Sequence, residues 1–528
     1  MNVKYILSSF AVAALTLASC TDLDTAPEGS TVTSDQKNDV INAMPERGEA
    51  GVRSIFSGMS VYMPNYDAIG SRHNDFGFSS VMYFTDANSE DVSSSTSGYN
   101  WAGNSLDFSD RIYTSYESQI VWNDHYQIIF AANNVIEGYT EDPTEDEGKF
   151  YLAQGLAARA YMYLSLAQLY QFTYKGNESK PCVPIITEAN REEAAKNGAP
   201  RNTVEEVYTQ IKDDIDKAVT LLEGTNYARK DKRYVSLAVA YGIRARMNLV
   251  MQNWSAAAAD ADAAITAAKA EKITPATIAD VSEPYFANSS EKDWMWGILI
   301  AETDDVVSSG IVNWISHCGT FNYGYCQYSG GRQINKKLYE QIPETDVRKG
   351  WWSGEDGLNV RLSENYNNYL SDYGYPAYTS CKFNTYNGEL ECDVNANDIP
   401  LMRVEEMYLI KAEALAMAGQ DGKSVLEQFV KTYRNPSYVC TGNVQDEVYF
   451  QKRIELWGEG LVWYDMMRLN KGIDRRGGAF DATAVFNIKA NDPILLWRIP
   501  QSEIEANPAI SDADNNETVP APSPVADN

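Results

Sequence analysis

The chain has 528 residues, 44% hydrophobic and 22% charged, which is enough apolar mass for a large buried core. Its 73 acidic residues against 44 basic ones give a net charge of −29. That sign argues against a nucleic-acid partner, which needs a basic footprint, and against direct adsorption on anionic lipid.

The chain opens with Lys4, an apolar run from Ile6 to Leu17, and then Leu17-Ala18-Ser19-Cys20. A short basic start, an apolar run too short to span a bilayer and small residues at its end mark residues 1–19 as a secretory signal peptide. The cysteine placed directly after them is similar to the lipobox of bacterial lipoproteins. Cys20 is therefore expected to carry lipid, and the protein to meet the membrane through that N-terminal lipid only. Residues 20–50 are polar, begin with Asp22 and Asp24, and read as a tether. One body is expected over 51–510. The tail 511–528, rich in Pro, Asp and Asn without large aromatics, is expected to be flexible.

Helical spacing runs from Glu117 to Tyr139 and again over 147–171, where Ala153, Ala157, Ala160, Leu164 and Ala167 recur at three and four. Thr203-Val204-Glu205-Glu206 fits a capping box at the head of a helix reaching about Leu222. Residues 233–270 read as two helices joined at Gln252-Asn253-Trp254, close to one tetratricopeptide period of ~34 residues. Further helices are expected over about 402–419, capped by Gly419, and about 447–470. Between about 275 and 400 the helical period is lost, apart from a short strand near Trp294–Ile300. The fold class is mainly α: tetratricopeptide-like helical pairs, over about 117–270 and 402–470, packed against a loop-rich half with a few short strands. A loop-rich insertion of that length is more often functional than structural.

Six cysteines remain besides Cys20, and pairing or burial as thiols are both open to them. Tyr outnumbers Phe by 34 to 16, which suits surfaces that stack on sugars or peptides. A neutral sugar offers apolar C–H faces and many hydroxyls, so its platform needs exposed rings beside Asn, Asp, Arg or Gln. Two stretches meet that need. One joins Arg72-His73-Asn74-Asp75 to Tyr99-Asn100-Trp101 and Asn104; the other holds Trp314, Tyr323, Tyr325, Tyr328 and Arg332. Trp101 is the leading single candidate, and Trp351-Trp352 a third, weaker place.

No catalytic residue is assigned. The three histidines His73, His125 and His317 form no HExxH, and no GxSxG occurs. Gly419-Gln420-Asp421-Gly422-Lys423-Ser424 has two residues too few between its glycines for a phosphate loop. Among 73 acids nothing singles out a carboxylate pair, so an exported glycoside hydrolase stays the rival reading. Asp393-Val394-Asn395-Ala396-Asn397-Asp398 is like the start of a calcium loop, but Asp398 stands for its Gly and Val404 for its closing Glu. An ordinary turn is expected there, with no cofactor or metal.

Several blocks in order give a family resemblance: the lipobox with Asp22-Leu23-Asp24, Trp122 to Ile136, Ala153 to Tyr170, Val183-Pro184-Ile185-Ile186 and Pro200 to Tyr208. Three more follow: Arg403 to Ala414, Arg453 to Gly460 with Trp463-Tyr464-Asp465 and Arg468, and Ile499-Pro500-Gln501-Ser502-Glu503-Ile504 with Asn507-Pro508. In these the chain resembles the SusD/RagB family of outer-membrane nutrient-binding lipoproteins. The resemblance implies a helical body with a loop-rich ligand half, lipid anchoring in the outer membrane facing the cell exterior, and an oligosaccharide ligand, or a peptide in some members. It also implies a SusC-like TonB-dependent transporter as partner, on which the protein sits as a lid. In the starch-binding member comparable loops form an aromatic arc. The charged blocks Glu405, Glu413, Arg453, Glu455 and Arg468 lie at helical spacing and are expected to pair ions inside the fold.

Overall fold

The computed structural model describes residues 45–59, 73–95, 99–139 and 141–527. The expected signal peptide, Cys20 and Arg72 lie outside the described residues. Helix α1 (Pro45–Ser57) begins inside the stretch read as a tether and buries Val52, Ile55 and Phe56. After it, α2 (Phe78–Asn88) is buried along its whole length.

The helical spacing of the sequence becomes an array in which each helix packs on the next. In order these are α3 (Tyr116–Ile136), α4 (Asp146–Tyr170), α5 (Val204–Glu223), α6 (Leu237–Val250) and α7 (Trp254–Ala270). The array continues through α8 (Val404–Met417), with α9 (Gly422–Tyr433) and α10 (Val444–Glu455) against it. Local chemistry sets the ends. Thr203 and Glu206 make both halves of the capping box that starts α5. Gly155 lets α4 close on α3, since a Cβ there would stand 3.0 Å from Ile136 and 3.2 Å from the Ala132 carbonyl.

The helix expected over 447–470 is two helices, α10 and α11 (Val462–Arg468). Gly458 and Gly460 between them take φ of +76° and +70°, outside helical range for any L side chain. A Cβ on Gly460 would lie 2.5 Å from that of Met82. The break turns Glu459 inward to Lys382 at 2.6 Å and Arg403 at 2.8 Å.

Strands are few, in three antiparallel pairs. β1 (Val92–Ser94) pairs β3 (Arg332–Ile334), with Val92 opposite Ile334; β2 (Trp294–Ile298) pairs β4 (Ile399–Arg403); β5 (Ile473–Asp474) pairs β6 (Asn487–Ile488). Each ties a loop segment to a distant part of the chain.

A buried charge network joins the loop half to the helices. Arg403 reaches Glu455 at 3.0 Å, Arg434 reaches Glu455 at 2.7 Å and Glu405 at 3.0 Å, and Arg348 reaches Asp346 at 2.7 Å and Glu455 at 3.2 Å. Burial pushes the Glu455 carboxyl up, but Arg434, Arg403 and Arg348 outweigh it and hold the group well below the usual carboxylate range. Arg468 pairs with Glu413 at 2.6 Å and with Asp465 at 2.6 Å, and Arg453 pairs with Asp91. The motif charges are thus internal.

Arg475 is clamped differently. Fully buried, it donates only to carbonyls: Ala87 at 2.8 Å, Asn88 at 3.1 Å, Ser89 at 2.9 Å, Leu106 at 2.5 Å and Ala484 at 3.3 Å. Burial without a carboxylate contact lowers its guanidinium to about 9.

The segment after Ser511, expected to be flexible, is bound to the body. Asn516 donates to the carbonyls of Tyr170 at 2.9 Å and Trp497 at 2.7 Å, and the Val525 N–H donates to the Val485 carbonyl at 3.0 Å. Asn side chains that satisfy buried carbonyls hold a segment whose lack of apolar bulk suggests disorder. Cys182, Cys318, Cys326, Cys381, Cys392 and Cys440 are all buried free thiols.

Candidate functional site: an aromatic platform

Two helical turns carry the second candidate stretch, Trp314–Cys318 and Tyr325–Ser329. Asn313 caps the first by accepting the Ser316 N–H at 3.0 Å. Ser316 Oγ then accepts the N–H of Tyr325 at 3.0 Å, which docks the second turn on the first. Gly324 permits this approach, since a Cβ there would stand 2.3 Å from Ser316 Oγ.

Tyr325 is thereby aimed at the first candidate stretch, more than two hundred residues earlier. Its ring stacks on His317 at 4.8 Å and 12°, meets Trp101 edge-on at 6.1 Å, and its hydroxyl is hydrogen-bonded to His73 Nδ1. His73 stacks on Trp101 at 4.8 Å, and its carbonyl lies 2.8 Å from His317 Nε2. Phe76 closes the buried end against His317 at 5.4 Å. At the outer end Tyr99 lies 6.4 Å from Tyr325 and 5.8 Å from Tyr328, and Tyr323 meets Tyr328 edge-on at 6.2 Å.

The rings grade from buried to exposed. Tyr325 is 6% exposed, Tyr323 41%, Tyr328 54% and Tyr99 55%. The three outer tyrosines are exposed, with Tyr323 hydrogen-bonded to Tyr328, and Tyr99 packs on the inner ring of Tyr325. Burial lowers His317 to about 3, so that imidazole is uncharged at neutral pH. Burial also leads in raising the Tyr325 hydroxyl, which stays protonated. The platform is aromatic and largely neutral.

Other predicted residues serve as support. Asn74 is fully buried and donates to the Trp101 carbonyl at 2.8 Å and to Glu117 at 3.2 Å. Asn100 accepts from the Tyr83 hydroxyl at 2.9 Å and donates to Ser94 at 3.0 Å and the Ser95 carbonyl at 2.7 Å. These polar groups fix the loop that displays Tyr99. Asn104 also donates to Glu117, at 3.3 Å. Trp101 itself is half-buried, with His73 over one face.

Four expectations are corrected. Trp314 is buried, edge-on to Phe383 at 5.0 Å, and plugs the core instead of facing a ligand. Arg332 is buried against Cys318 Sγ at 3.0 Å, with its guanidinium over Tyr83. Trp351 and Trp352 are buried as well, the first bonded to the Val281 carbonyl at 3.0 Å. His317, passed over in the sequence, is the stacking centre; its only signal was a place in the Trp314–Tyr325 stretch.

The calcium-like segment is not the expected turn but an irregular stretch leading into β4, and it knits loops together. Asp398 accepts the N–H groups of Ser289 and Ile300, each at 2.8 Å, and Asn395 and Asn397 each accept from Asn322 at 3.2 Å. Among the described residues no group of three or more His, Cys, Asp or Glu could hold a metal ion.

Residues 73–249 match a SusD-like family model described as starch-binding and associating with the outer membrane, and residues 319–516 match the SusD family model. The chain belongs to the SusD/RagB family. A SusD-like protein, P38 of Formosa agariphila, is 22% identical over 395 residues, covering 67% of this chain and 73% of its own. A SusD-like carbohydrate binding protein from Bacteroides vulgatus shares the fold at a TM-score of 0.73 and 22% identity, over 90% of this chain and 98% of that one. Surface glycan-binding protein A from Bacteroides thetaiotaomicron, solved with laminarihexaose, aligns at a TM-score of 0.63 and 17% identity, over 89% and 99%. This SusD/RagB member therefore has the family's mainly helical architecture, with the tyrosine platform on its loop-rich half.

Proposed function

We propose that this protein is a cell-surface glycan-binding lipoprotein, not an enzyme, and that Tyr99, Tyr323 and Tyr328 form its sugar platform. The observation that carries the reading is the convergence of two distant loop stretches on one exposed, largely neutral aromatic surface. Such a surface offers stacking faces for sugar C–H groups, and its hydroxyls can orient the ligand. A structural relative solved with laminarihexaose supports a carbohydrate as the ligand class. In this reading Cys20 carries the lipid that holds the protein to the outer membrane, facing the cell exterior. The captured oligosaccharide passes to a SusC-like TonB-dependent transporter that the protein covers as a lid.

The test is glycan-array binding by the mature chain beginning after Cys20, beside its Tyr99→Ala variant. Binding to one glycan class, without sugar release and weakened by about tenfold in the variant, is the expected result. Sugar release would restore the glycoside hydrolase reading. Binding to peptides and to no glycan would make this a peptide-binding member of the family.

A further inference from the structure

A second aromatic shelf adjoins the platform. Tyr369 belongs to the helical turn Glu364–Asp372, and the ring of Tyr373 lies 4.7 Å from it and 6.5 Å from Tyr375. The hydroxyls of Tyr369 and Tyr375 both donate to the Thr320 carbonyl, at 3.3 and 2.9 Å, which anchors the shelf from below. Those two rings are buried, whereas Tyr373 is 43% exposed.

One short segment joins this shelf to the platform. Phe321 packs on Tyr369 at 6.0 Å, and Tyr323 meets Tyr328 at 6.2 Å. Only Asn322 separates Phe321 from Tyr323, a step of at most about 7 Å of backbone. Gln327, beside Tyr328 in sequence, donates from Nε2 to the Tyr369 hydroxyl and to Glu391 Oε1, both at 3.3 Å.

Glu391 is exposed and takes a left-handed backbone, φ +61°, which is costly for a residue with a Cβ. Flanking bonds impose it: its N–H donates to the Phe321 carbonyl at 2.8 Å, and Tyr323 N–H donates to the Cys392 carbonyl at 3.0 Å. Strain of this kind persists where the surroundings over-determine it, often at ligand sites. The carboxylate stands between the two shelves. After burial, it is among the charges that raise the Tyr369 hydroxyl; after the Tyr323 hydrogen bond, it is among those that raise Tyr328.

We propose that Tyr373 and Glu391, braced from below by Gln327, form a second subsite, which takes further rings of a neutral oligosaccharide beyond those held by Tyr99 and Tyr328. The proposal rests on the glycan reading above. Tyr373 supplies a stacking face, and Glu391 supplies a carboxylate with accepting positions left over for sugar hydroxyls. The consequence is preference for longer chains.

Calorimetric titration of the mature chain with laminari- and malto-oligosaccharides, disaccharide to hexasaccharide, tests this. In the wild type, affinity for the bound series rises with length. Tyr373→Ala and Glu391→Gln are expected to lose about tenfold on the hexasaccharide and little on the disaccharide, while Tyr373→Phe keeps the length dependence. Tyr99→Ala is expected to weaken binding by about tenfold at every length. If Tyr373→Ala and Glu391→Gln bind the hexasaccharide like the wild type while Tyr99→Ala is impaired, the second subsite is overturned and the glycan platform stands. If the wild type binds neither these series nor any glycan on the array, or Tyr99→Ala binds normally, the platform fails and the subsite with it.

Discussion

His125 shows how a single side chain can carry a pH dependence. It is fully buried, with Nδ1 2.6 Å from the Val121 carbonyl and Nε2 2.8 Å from Ser165 Oγ, and burial lowers it to about 4. An unfolded histidine titrates near 6.5. Below that pH the unfolded chain takes up a proton that the folded one refuses, so stability falls with acidification through the window from about 6.5 to about 4. The slope is about 1.4 kcal/mol per pH unit for this one group. Urea unfolding between pH 7 and pH 4 checks it, and His125→Gln should flatten the slope relative to the wild type. Arg403 makes a second case, since it faces Glu455, Glu459 and Asp293 in the interior. Replacing it with Met strands buried carboxylates, at an expected cost of about 3–5 kcal/mol in the same measurement. At the platform, residue type was readable and exposure was not. Tyr99, Tyr323 and Tyr325 come together from two stretches that the sequence offers separately, whereas Trp314 has the same composition around it and lies in the core, because only the fold decides which ring the outer layer covers.

Among the elements, those with a local cause were legible. The capping box at Thr203, the small-residue face of α4 and the Gly419 stop at the end of α8 all appear where the sequence places them. The α10–α11 break was not, because Trp457, Leu461 and Tyr464 continue a helical spacing across it. Its cause is tertiary, a backbone passage past Met82 that only Gly460 fits. Gly460→Ala combines left-handed strain with that overlap and should cost about 2–5 kcal/mol by thermal or urea unfolding. Gly419→Ala, also left-handed at φ +75° but facing open space, should cost only about 1–2 kcal/mol. A reversal of that order would show that the contact with Met82 is relaxed in solution.

For the molecule as a whole, the charge of −29 and the neutral platform act separately. A neutral glycan gains nothing from the protein's field, so its affinity should change by less than about twofold between 50 and 500 mM salt, although screening shortens the Debye length severalfold over that range. A strong salt dependence in the titration would mean that the ligand is charged.

Arg475 bears on the order in which the molecule can be made. Its bonds to the carbonyls of Ala87, Asn88, Ser89 and Leu106 finish the turn beneath the platform, and β1 likewise waits for β3. A chain that emerges N-terminus first therefore holds these earlier loops incomplete until the segment carrying Arg475 has been made. Until Arg475 is made those carbonyls, and until β3 is made the edge of β1, stay without their native partners, a state prone to mispairing. Completion of the amino-terminal region is thus coupled to the arrival of the carboxy-terminal segment that closes it.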